Sequence, residues 1–266
     1  MKTSPLRPLL ALAAVSACAL VPTGVSGAPA PERAAGGPGT SATLARGVLS
    51  VQRAGATTRL KVPAGYHLPY VTVRGERGGI SFDGSTVVLA RQDASGGRSR
   101  FLVAESGHLT PLAFRGRVAF DAVAPNGSAI YLTRRTSASD PTRYVVLEYV
   151  RAARALNQIG VKSVFSVSGE ERPSWKMRGL PVARTAAADG RWAYTLYTAK
   201  EYPFIHALPL GQGPWAVCIE LPPAWRARVA SMSLRAQPGN IVEVLNASGA
   251  VVATADVMHG KLTLAA

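Results

Sequence analysis

The stretch Phe120 to Leu132, FDAVAPNGSAIYL, reads as an apolar strand, a tight turn on Pro125-Asn126-Gly127, and a second strand. Asn-Gly between two apolar runs is typical of a β-hairpin turn, because both residues tolerate the backbone geometry that the turn needs. Weaker copies occur on both sides, ISFDGSTVVLA from Ile80 to Ala90 and ARTAAADGRWAYTLY from Ala183 to Tyr197. A hairpin that recurs along a chain predicts a repeated all-β architecture.

Each hairpin is followed by further strand-like runs, so that one unit holds about four strands in about forty residues. An insert at Ser168 to Arg178 explains the longer interval before the third hairpin. Only Arg151 to Ile159 has any helical character, and we expect a loop or a short helix there. The chain therefore predicts a β-propeller of about five four-stranded blades, with a pair of β-sandwiches as the alternative fold.

The N-terminal segment, Met1 to Gly27, has the anatomy of a secretory signal: two basic residues, the apolar run Leu9 to Val21, and small residues after it. The apolar run is too short for an ordinary membrane span. Cleavage after Val25-Ser26-Gly27 would release a secreted protein. Val15 to Cys18 also resembles a lipobox, which would place a lipid anchor on Cys18 at the outer face of the cytoplasmic membrane. Both alternatives put the rest of the chain outside the cytoplasm.

The sequence predicts two further regions after the signal. Residues 28–43 are rich in Pro, Gly and Ala without periodicity, which is typical of a disordered linker. Residues 44–266 would then form a single propeller-like domain. If Cys18 is removed or lipidated, Cys218 has no partner for a disulfide, and its strand-like context AVCIEL predicts a small buried side chain.

The charge of the chain favours anionic partners. Its 30 Lys and Arg residues against 15 Asp and Glu residues give a formal net charge of +15, with the arginines scattered rather than in blocks. A basic surface of this kind attracts cell-wall polymers, lipid headgroups or an acidic protein. No nucleic-acid-binding module occurs, so nucleic acid is not an expected partner.

The segments FDAVAPNGSAIYLT and RGLPVARTAAADGRWAYTLYTAKEYPFIHALPL, with AVCIELP after them, resemble exported bacterial WD-repeat-like (YncE/TolB-like) propellers. The resemblance is greatest to uncharacterised actinobacterial secreted proteins of this group. It covers Met177 to Pro222 and Phe120 to Leu132, and the N-terminal third only at Phe82-Asp83-Gly84. Asn126 stands where the pattern has Asp, and no Trp-Asp dipeptide occurs. The resemblance implies a propeller fold and export, but no activity, because propellers host many functions.

Catalytic and metal-binding motifs are absent from the sequence. It contains no G-x-S-x-G elbow and no phosphate-binding glycine loop, and its four histidines have no metal-ligand spacing. We therefore expect no enzymatic centre, no metal and no cofactor. The Asp or Asn of each hairpin turn has a structural explanation in that turn. Four aromatic residues are expected to pack between blades: Tyr131, Trp192, Tyr194 and Trp215.

The candidate binding residues are Arg178, His206, Arg184 and Asp121. Inner strands of a propeller present polar side chains to its channel, and Asp121 could pair there with Arg184; a purely structural ion pair or a hydrogen-bonded histidine is the other interpretation. We expect a monomeric, exported, non-enzymatic binding or scaffolding propeller at the cell envelope, with a protein or an anionic envelope polymer as its partner. The alternatives are a propeller-type lyase or glycosidase and a structural domain of a larger envelope assembly.

Overall fold

The computed structural model of the chain describes residues 29–91, 97–172, 177–211, 213 and 215–265. The predicted signal and the candidate lipidation at Cys18 therefore lie outside the described residues. Within them the regular structure is β, apart from two single-turn 3-10 helices, Pro223–Trp225 and Val229–Ser231. No helix in these ranges is long and apolar enough to span a bilayer.

The strands follow one another along the chain as consecutive antiparallel hairpins. The first seven are β1 (Glu32–Ala35), β2 (Ser41–Ala45), β3 (Val48–Arg53), β4 (Ala56–Lys61), β5 (Thr86–Arg91), β6 (Arg98–Glu105) and β7 (His108–Arg115). The central ones are β8 (Val118–Val123), β9 (Ala129–Arg135), β10 (Tyr144–Val150), β11 (Ala155–Phe165), β12 (Glu171–Arg172), β13 (Leu180–Ala186), β14 (Trp192–Thr198), β15 (Phe204–Pro209) and β16 (Trp215–Glu220). The last four are β17 (Ser233–Gln237), β18 (Ile241–Leu245), β19 (Val251–Asp256) and β20 (Lys261–Leu264).

These strands group into five blades in chain order. Blades 1 and 5 are the four-stranded sheets β1–β4 and β17–β20, and blade 2 is β5–β7, to which Ile80 adds a bridge opposite Val87. Blades 3 and 4 are β8–β11 and β13–β16. Their last strands, β11 and β16, pair in parallel, so the two blades form one continuous sheet that begins and ends on their first strands, β8 and β13.

Each pair of successive blades shares a hydrophobic core. Four clusters of buried residues join blade 1 to 2, 2 to 3, 3 to 4 and 4 to 5. In the second cluster, for example, Val88 and Phe101 of blade 2 pack with Phe120 and Ile130 of blade 3. Because a four-stranded sheet cannot bury both faces alone, stacking the blades face to face buries them. The predicted fold class, an all-β propeller of four-stranded antiparallel sheets, is confirmed.

The repeated Asp-Gly and Asn-Gly turns have the structural role that the sequence predicts. In each turn the backbone N–H two residues further on donates to the Asp or Asn side chain, at 2.9 Å for Asp83, 3.1 Å for Asn126 and 2.9 Å for Asp189. The glycines follow with positive φ. A Cβ on Gly190 would collide with the ring of Phe82 in blade 2, so the turns of different blades approach one another at this end of the molecule.

The prediction of a disordered linker at residues 28–43 is wrong from Glu32 onwards, because strands β1 and β2 and the turn that joins them lie there; residue 28 is outside the described residues. Ala34 and Ala42 are 5% and 0% exposed, so their small side chains fit where larger ones would not. Glu32 accepts a hydrogen bond from the backbone N–H of Leu68 at 2.6 Å and pairs with Arg77 at 3.1 Å. The folded part of the chain therefore begins before residue 44.

The expectation of a loop or a short helix at Arg151 to Ile159 is confirmed as a loop for the first four residues and is wrong for the rest. A turn occupies residues 151–154, and β11 begins at Ala155. Its first half pairs with β10 and its second half with β16, so strand pairing overrides the local preference of Ala, Arg and Leu for helix. The change of partner occurs at Gly160, against which the ring of Trp215 lies. Trp215 was expected to pack between blades; its ring does contact Gly160 of the neighbouring blade, but at the rim, where it is 54% exposed, and not in a buried core.

Candidate functional site

A cavity of about 730 Å³ opens at the end of the first strands opposite to the Asp-Gly and Asn-Gly turns. Its walls come from the start of β8, the start of β13, the end of β5, the start of β6, and the segment 67–73 that joins blades 1 and 2. The strand directions explain this position. Strands β8 and β13 begin at the cavity and end at their Asn-Gly and Asp-Gly turns, whereas β5 begins at its Asp-Gly turn and ends at the cavity. The cavity therefore lies among blades 2, 3 and 4.

Asp121 and Arg184 form an ion pair between blades 3 and 4. The guanidinium of Arg184 donates to Asp121 Oδ1 at 2.7 Å, and the two side chains are 13% and 5% exposed. The register of β8 against β9 shifts between Phe120 and Ala122, so Asp121 is the extra residue of a β-bulge. A bulge turns a side chain away from the regular alternation of its strand. The predicted Asp121–Arg184 contact is confirmed, and its role in binding stays a prediction.

A cluster of buried polar groups surrounds this ion pair. His206, on the third strand of blade 4, is 1% exposed, and its Nδ1 lies 3.5 Å from the Sγ of Cys218. The ring of Tyr197 stands edge-on to that of His206 at 6.2 Å and lies 6.0 Å from that of Tyr144. Cys218 is fully buried, as its sequence context predicts.

Three polar atoms of this cluster have no hydrogen-bond partner within the part of the chain that the structure describes. They are Asp121 Oδ2, the Tyr144 hydroxyl and His206 Nε2. Buried polar groups in folded proteins are almost always paired, because an unpaired one keeps the full cost of its dehydration. Asp121 and Tyr144 also line the cavity, although their unpaired oxygen atoms are themselves shielded from it.

Burial determines the protonation of the cluster at neutral pH. It lowers the pKa of His206 to about 4, although the nearby Asp121 carboxylate acts in the opposite direction and Arg184 in the same one. Burial raises the pKa of the Cys218 thiol and of the Tyr144 and Tyr197 hydroxyls. The histidine, thiol and phenols are therefore neutral, and Asp121 and Arg184 carry the charges of the cluster.

The mouth of the cavity is basic. Four exposed arginines line it: Arg91, Arg98, Arg117 and Arg135. Arg117 and Arg135 are direct neighbours, since the backbone N–H of Arg135 donates to the carbonyl of Arg117 at 3.2 Å. Neither of these two forms an ion pair with any acidic residue in the described ranges. Asp121, already paired with Arg184, is the one acidic side chain among the described residues that line the cavity.

The other side of the mouth is apolar and aromatic. Tyr70 and Val73 are 51% and 58% exposed there. The guanidinium carbon of Arg77 lies 3.5 Å from the centre of the Tyr70 ring, and Arg77 also donates to the Tyr70 hydroxyl at 2.7 Å. Arg77 is held in turn by Glu32 of β1, so blade 1 fixes the orientation of this ring.

Solved structures similar to this chain include TolB proteins and a WD40 domain. The TolB structure from Agrobacterium tumefaciens is 13% identical, with 88% of this chain and 80% of that chain covered and a TM-score of 0.46. TolB from Acinetobacter baumannii is 10% identical, with 80% of this chain and 50% of that chain covered and a TM-score of 0.42. The WD40 domain of SCAP from fission yeast is 9% identical, with 87% of this chain and 54% of that chain covered and a TM-score of 0.49. The chain thus spans about half the length of the last two proteins. No family model matches the chain, and no curated protein matches it in sequence.

These likenesses concern the fold alone, and the assignment to the propeller class rests on the chain's own sheets and their shared cores. They say nothing about the site, whose description rests on the geometry given above. No group of three or more His, Cys, Asp and Glu residues within the described ranges is arranged to hold a metal ion.

The structure brings three of the four predicted site residues together and leaves the fourth outside. The Arg178 side chain is 47% exposed, lies 4.0 Å from Glu201 and does not line the cavity. Sequence reasoning missed Tyr144, Arg117 and Arg135. Arg117 precedes an inner strand directly, in FRGRVAF, which is a signal that could have placed it at the end of the channel. Tyr144 has no such signal, because it belongs to the third strand of its blade.

Proposed function

We propose that this protein is a non-enzymatic binding propeller whose cavity among blades 2, 3 and 4 takes a small anionic ligand or the anionic end of a polymer. The observation that carries the proposal is the pair Arg117 and Arg135 at the cavity mouth. Arg117 and Arg135 are adjacent in the backbone pairing, both line the mouth and neither has an acidic partner in the described ranges, so an anion bound between their side chains would reduce the repulsion of like charges. Guanidinium groups also match carboxylates and phosphates in geometry.

The acidic residues of the cavity favour binding over hydrolysis. Glycoside hydrolysis ordinarily needs two carboxyl groups that face each other across the bond to be broken. Of the described residues that line this cavity, Asp121 is the one carboxylate, and it already neutralises Arg184. The lyase or glycosidase alternative therefore has no specific observation in its favour here.

The place of action follows from the N-terminal segment and the resemblance. A secretory signal at Met1 to Gly27 and the similarity to exported YncE/TolB-like propellers support a role at the bacterial cell envelope, with the protein released as a monomer or anchored through Cys18. The envelope offers anionic polymers and their fragments as ligands. The basic surface of the chain would raise their local concentration at the protein.

The proposal is tested by anion binding to a charge-neutralised variant. Inorganic pyrophosphate is titrated into the full chain by calorimetry at low ionic strength, beside Arg117→Gln/Arg135→Gln and the control Arg33→Gln/Arg59→Gln. Both control arginines are exposed, lie in blade 1 and do not line the cavity, so the two variants lose the same charge. We expect the mouth variant to bind about tenfold more weakly and the control to bind like the natural protein.

Two results would overturn the proposal. If both variants lose affinity equally, the anion binds to the general positive field and not to the cavity. If pyrophosphate does not bind the natural chain at low salt, the mouth is not an anion site.

A further inference from the structure

We infer that the ligand of this cavity is an anionic amphiphile, with a carboxylate or phosphate group at the arginine mouth and a single apolar chain along the wall beside it. The inference rests on the proposed function and adds a chemical class to it. It follows from three features of the described residues: the position of the exposed apolar side chains, the pairing of the backbone beneath them, and the charge on the other side of the mouth.

Exposed apolar side chains are concentrated at this cavity. Of the eight large apolar side chains that are exposed in the described ranges, three line it: Tyr70, Val73 and Leu180, at 51%, 58% and 38% exposure. The backbone N–H of Val73 donates to the carbonyl of Pro181 at 2.8 Å, so the segment 67–73 and the start of β13 form one surface. We call the side chains of Tyr70, Val73, Leu180 and Pro181 the apolar strip. Grouped apolar surface of this kind marks a binding site, whereas single exposed apolar residues are ordinary.

The ring of Tyr70 is a fixed part of the apolar strip. The guanidinium carbon of Arg77 lies 3.5 Å from the centre of this ring, and Arg77 also donates to the Tyr70 hydroxyl at 2.7 Å. These two contacts hold the ring in one orientation before any ligand binds. An apolar chain therefore gains contact with the ring at little cost in side-chain entropy.

The backbone beneath the apolar strip is already hydrogen-bonded within the chain. Besides the bond from Val73 to Pro181, the backbone N–H of Leu180 donates to Thr198 Oγ1 at 3.3 Å. Pro69 and Pro181, which both line the cavity, have no N–H to offer. A bound peptide brings an N–H and a C=O at every residue, and these need partners when they are buried. An alkyl chain has no such requirement, so the strip favours an alkyl chain over a peptide.

The charge of the mouth selects the other end of the ligand. Arg117 and Arg135 are exposed and have no ion-pair partner in the described ranges. A neutral apolar ligand would leave both cations without a counterion, and a small inorganic anion would leave the apolar strip in water. A molecule with one charged end and one apolar chain satisfies both surfaces. The cavity of about 730 Å³ has the size of ordinary small-molecule sites.

The first test varies the apolar chain at constant charge. Butyrate and octanoate are titrated into the full chain by calorimetry, at low ionic strength and below the concentration at which octanoate forms micelles. Each fully buried methylene group strengthens binding by up to about fourfold, so partial burial of the longer chain should make octanoate bind at least about tenfold more tightly than butyrate.

The same titrations with neutral octanol and with octyl phosphate vary the end group at constant chain length. Octanol lacks the anion and should bind about tenfold more weakly than octanoate. Octyl phosphate should bind at least as tightly as butyrate does, and its affinity relative to octanoate identifies the end group that the mouth prefers.

The second test removes the apolar strip and keeps the arginines. The variant Val73→Ser/Leu180→Ser shortens two exposed side chains, so the core and the fold are kept. It should weaken octanoate about tenfold and leave pyrophosphate unchanged. The matched control is Leu156→Ser/Leu264→Ser, which also removes two exposed apolar side chains, at 41% and 49% exposure. Neither of these lines the cavity, so the control should bind every ligand like the natural chain.

The outcomes separate the inference from the function on which it rests. If butyrate and octanoate bind equally, or if Val73→Ser/Leu180→Ser binds octanoate like the natural chain, the amphiphile is wrong, and the binding of pyrophosphate shows that the anion site stands. Tighter binding of a short acidic peptide than of octanoate has the same meaning. If octanol binds as tightly as octanoate, the arginines do not hold a charged end group and the inference fails. If no anion binds the natural chain, both proposals fail together.

Discussion

At the scale of single residues, His206 shows how burial in a propeller core determines charge. The imidazole is enclosed between strands of blade 4, where its neutral form packs against Cys218 and Tyr197. Burial disfavours the charged imidazolium and is the main reason for the low pKa of His206; Asp121 opposes this effect and Arg184 adds to it. The pKa in the folded state is about 4, compared with about 6.5 in an unfolded chain.

This difference predicts a loss of stability in acid. Between pH 6.5 and 4 the unfolded chain binds a proton at His206 that the folded chain does not bind, so the free energy of unfolding falls as the pH falls. At about 1.4 kcal/mol per pKa unit, His206 should remove about 3 kcal/mol between pH 7 and pH 4. Urea denaturation at pH 7, 5.5 and 4 measures this decrease in the free energy of unfolding.

The control for this prediction is His206→Gln, which cannot titrate. The variant is less stable than the natural chain at pH 7 because it loses the fit of the ring. Between pH 7 and pH 4, however, it should lose clearly less stability than the natural chain, since the contribution of His206 is absent. Parallel pH dependence of the two proteins would show that His206 is not the titrating group.

At the scale of secondary-structure elements, β11 is the unusual strand. It pairs with β10 in its own blade and then with β16 of the next blade, which joins the outer edges of blades 3 and 4. The strand edges of a propeller are otherwise exposed at the rim, and pairing them removes unsatisfied backbone groups there. The exchange of partners requires a close approach at Gly160, where the Trp215 ring occupies the position that a Cβ would take.

The variant Gly160→Ala tests this junction. The added methyl group should displace the Trp215 ring and lower the free energy of unfolding by about 1–2 kcal/mol, a typical cost of overpacking. In a Trp215→Ala background the same substitution should cost little, because the obstacle is gone. Urea denaturation of the natural chain, the two single variants and the double variant gives the coupling free energy between positions 160 and 215. An equal cost of Gly160→Ala in both backgrounds would contradict the close contact.

At the scale of the whole molecule, the blades pack in chain order and each depends on its neighbours. Blade 1 uses residues that composition alone assigns to a linker, and it also holds Arg77 and thereby Tyr70 at the cavity. The N-terminal strands thus contribute to the core and to the site at once. The free energy of unfolding of the whole domain should therefore depend on strands β1 and β2, although their sequence shows no strand-like pattern.

A truncation tests this dependence. A chain that begins at Arg46 lacks β1 and β2, and with them the buried Ala34, Ala42 and Leu44. We expect it to lose about 3 kcal/mol or more relative to a chain that begins at Pro29, which lowers the melting temperature by about 6–12 °C. Calorimetry measures the difference. Equal melting temperatures would mean that the segment is a linker, as its composition suggests.

The hairpins and the blade repeat could be predicted because their determinants are local, and the Asp121–Arg184 contact because both residues lie on strands that the repeat identifies as inner ones. An Asp-Gly or Asn-Gly pair specifies its turn through its own side chain and φ angle, as at Asp83 and Asn126, and period-two patterns specify strands. From a repeat and its strand order one can also predict which residues lie on inner strands. The sequence by itself therefore determined the architecture and placed Asp121 and Arg184 on neighbouring first strands.

The tertiary structure decided the rest, because it depends on contacts between distant parts of the chain. Pairing with neighbouring strands makes β1, β2 and β11 extended against their local composition. The cavity combines residues near positions 70, 120, 135 and 180, and the burial of Tyr144 beside Tyr197 of the next blade is evident only in the folded chain. Such long-range contacts arise from the packing of whole blades, and no short stretch of sequence encodes them.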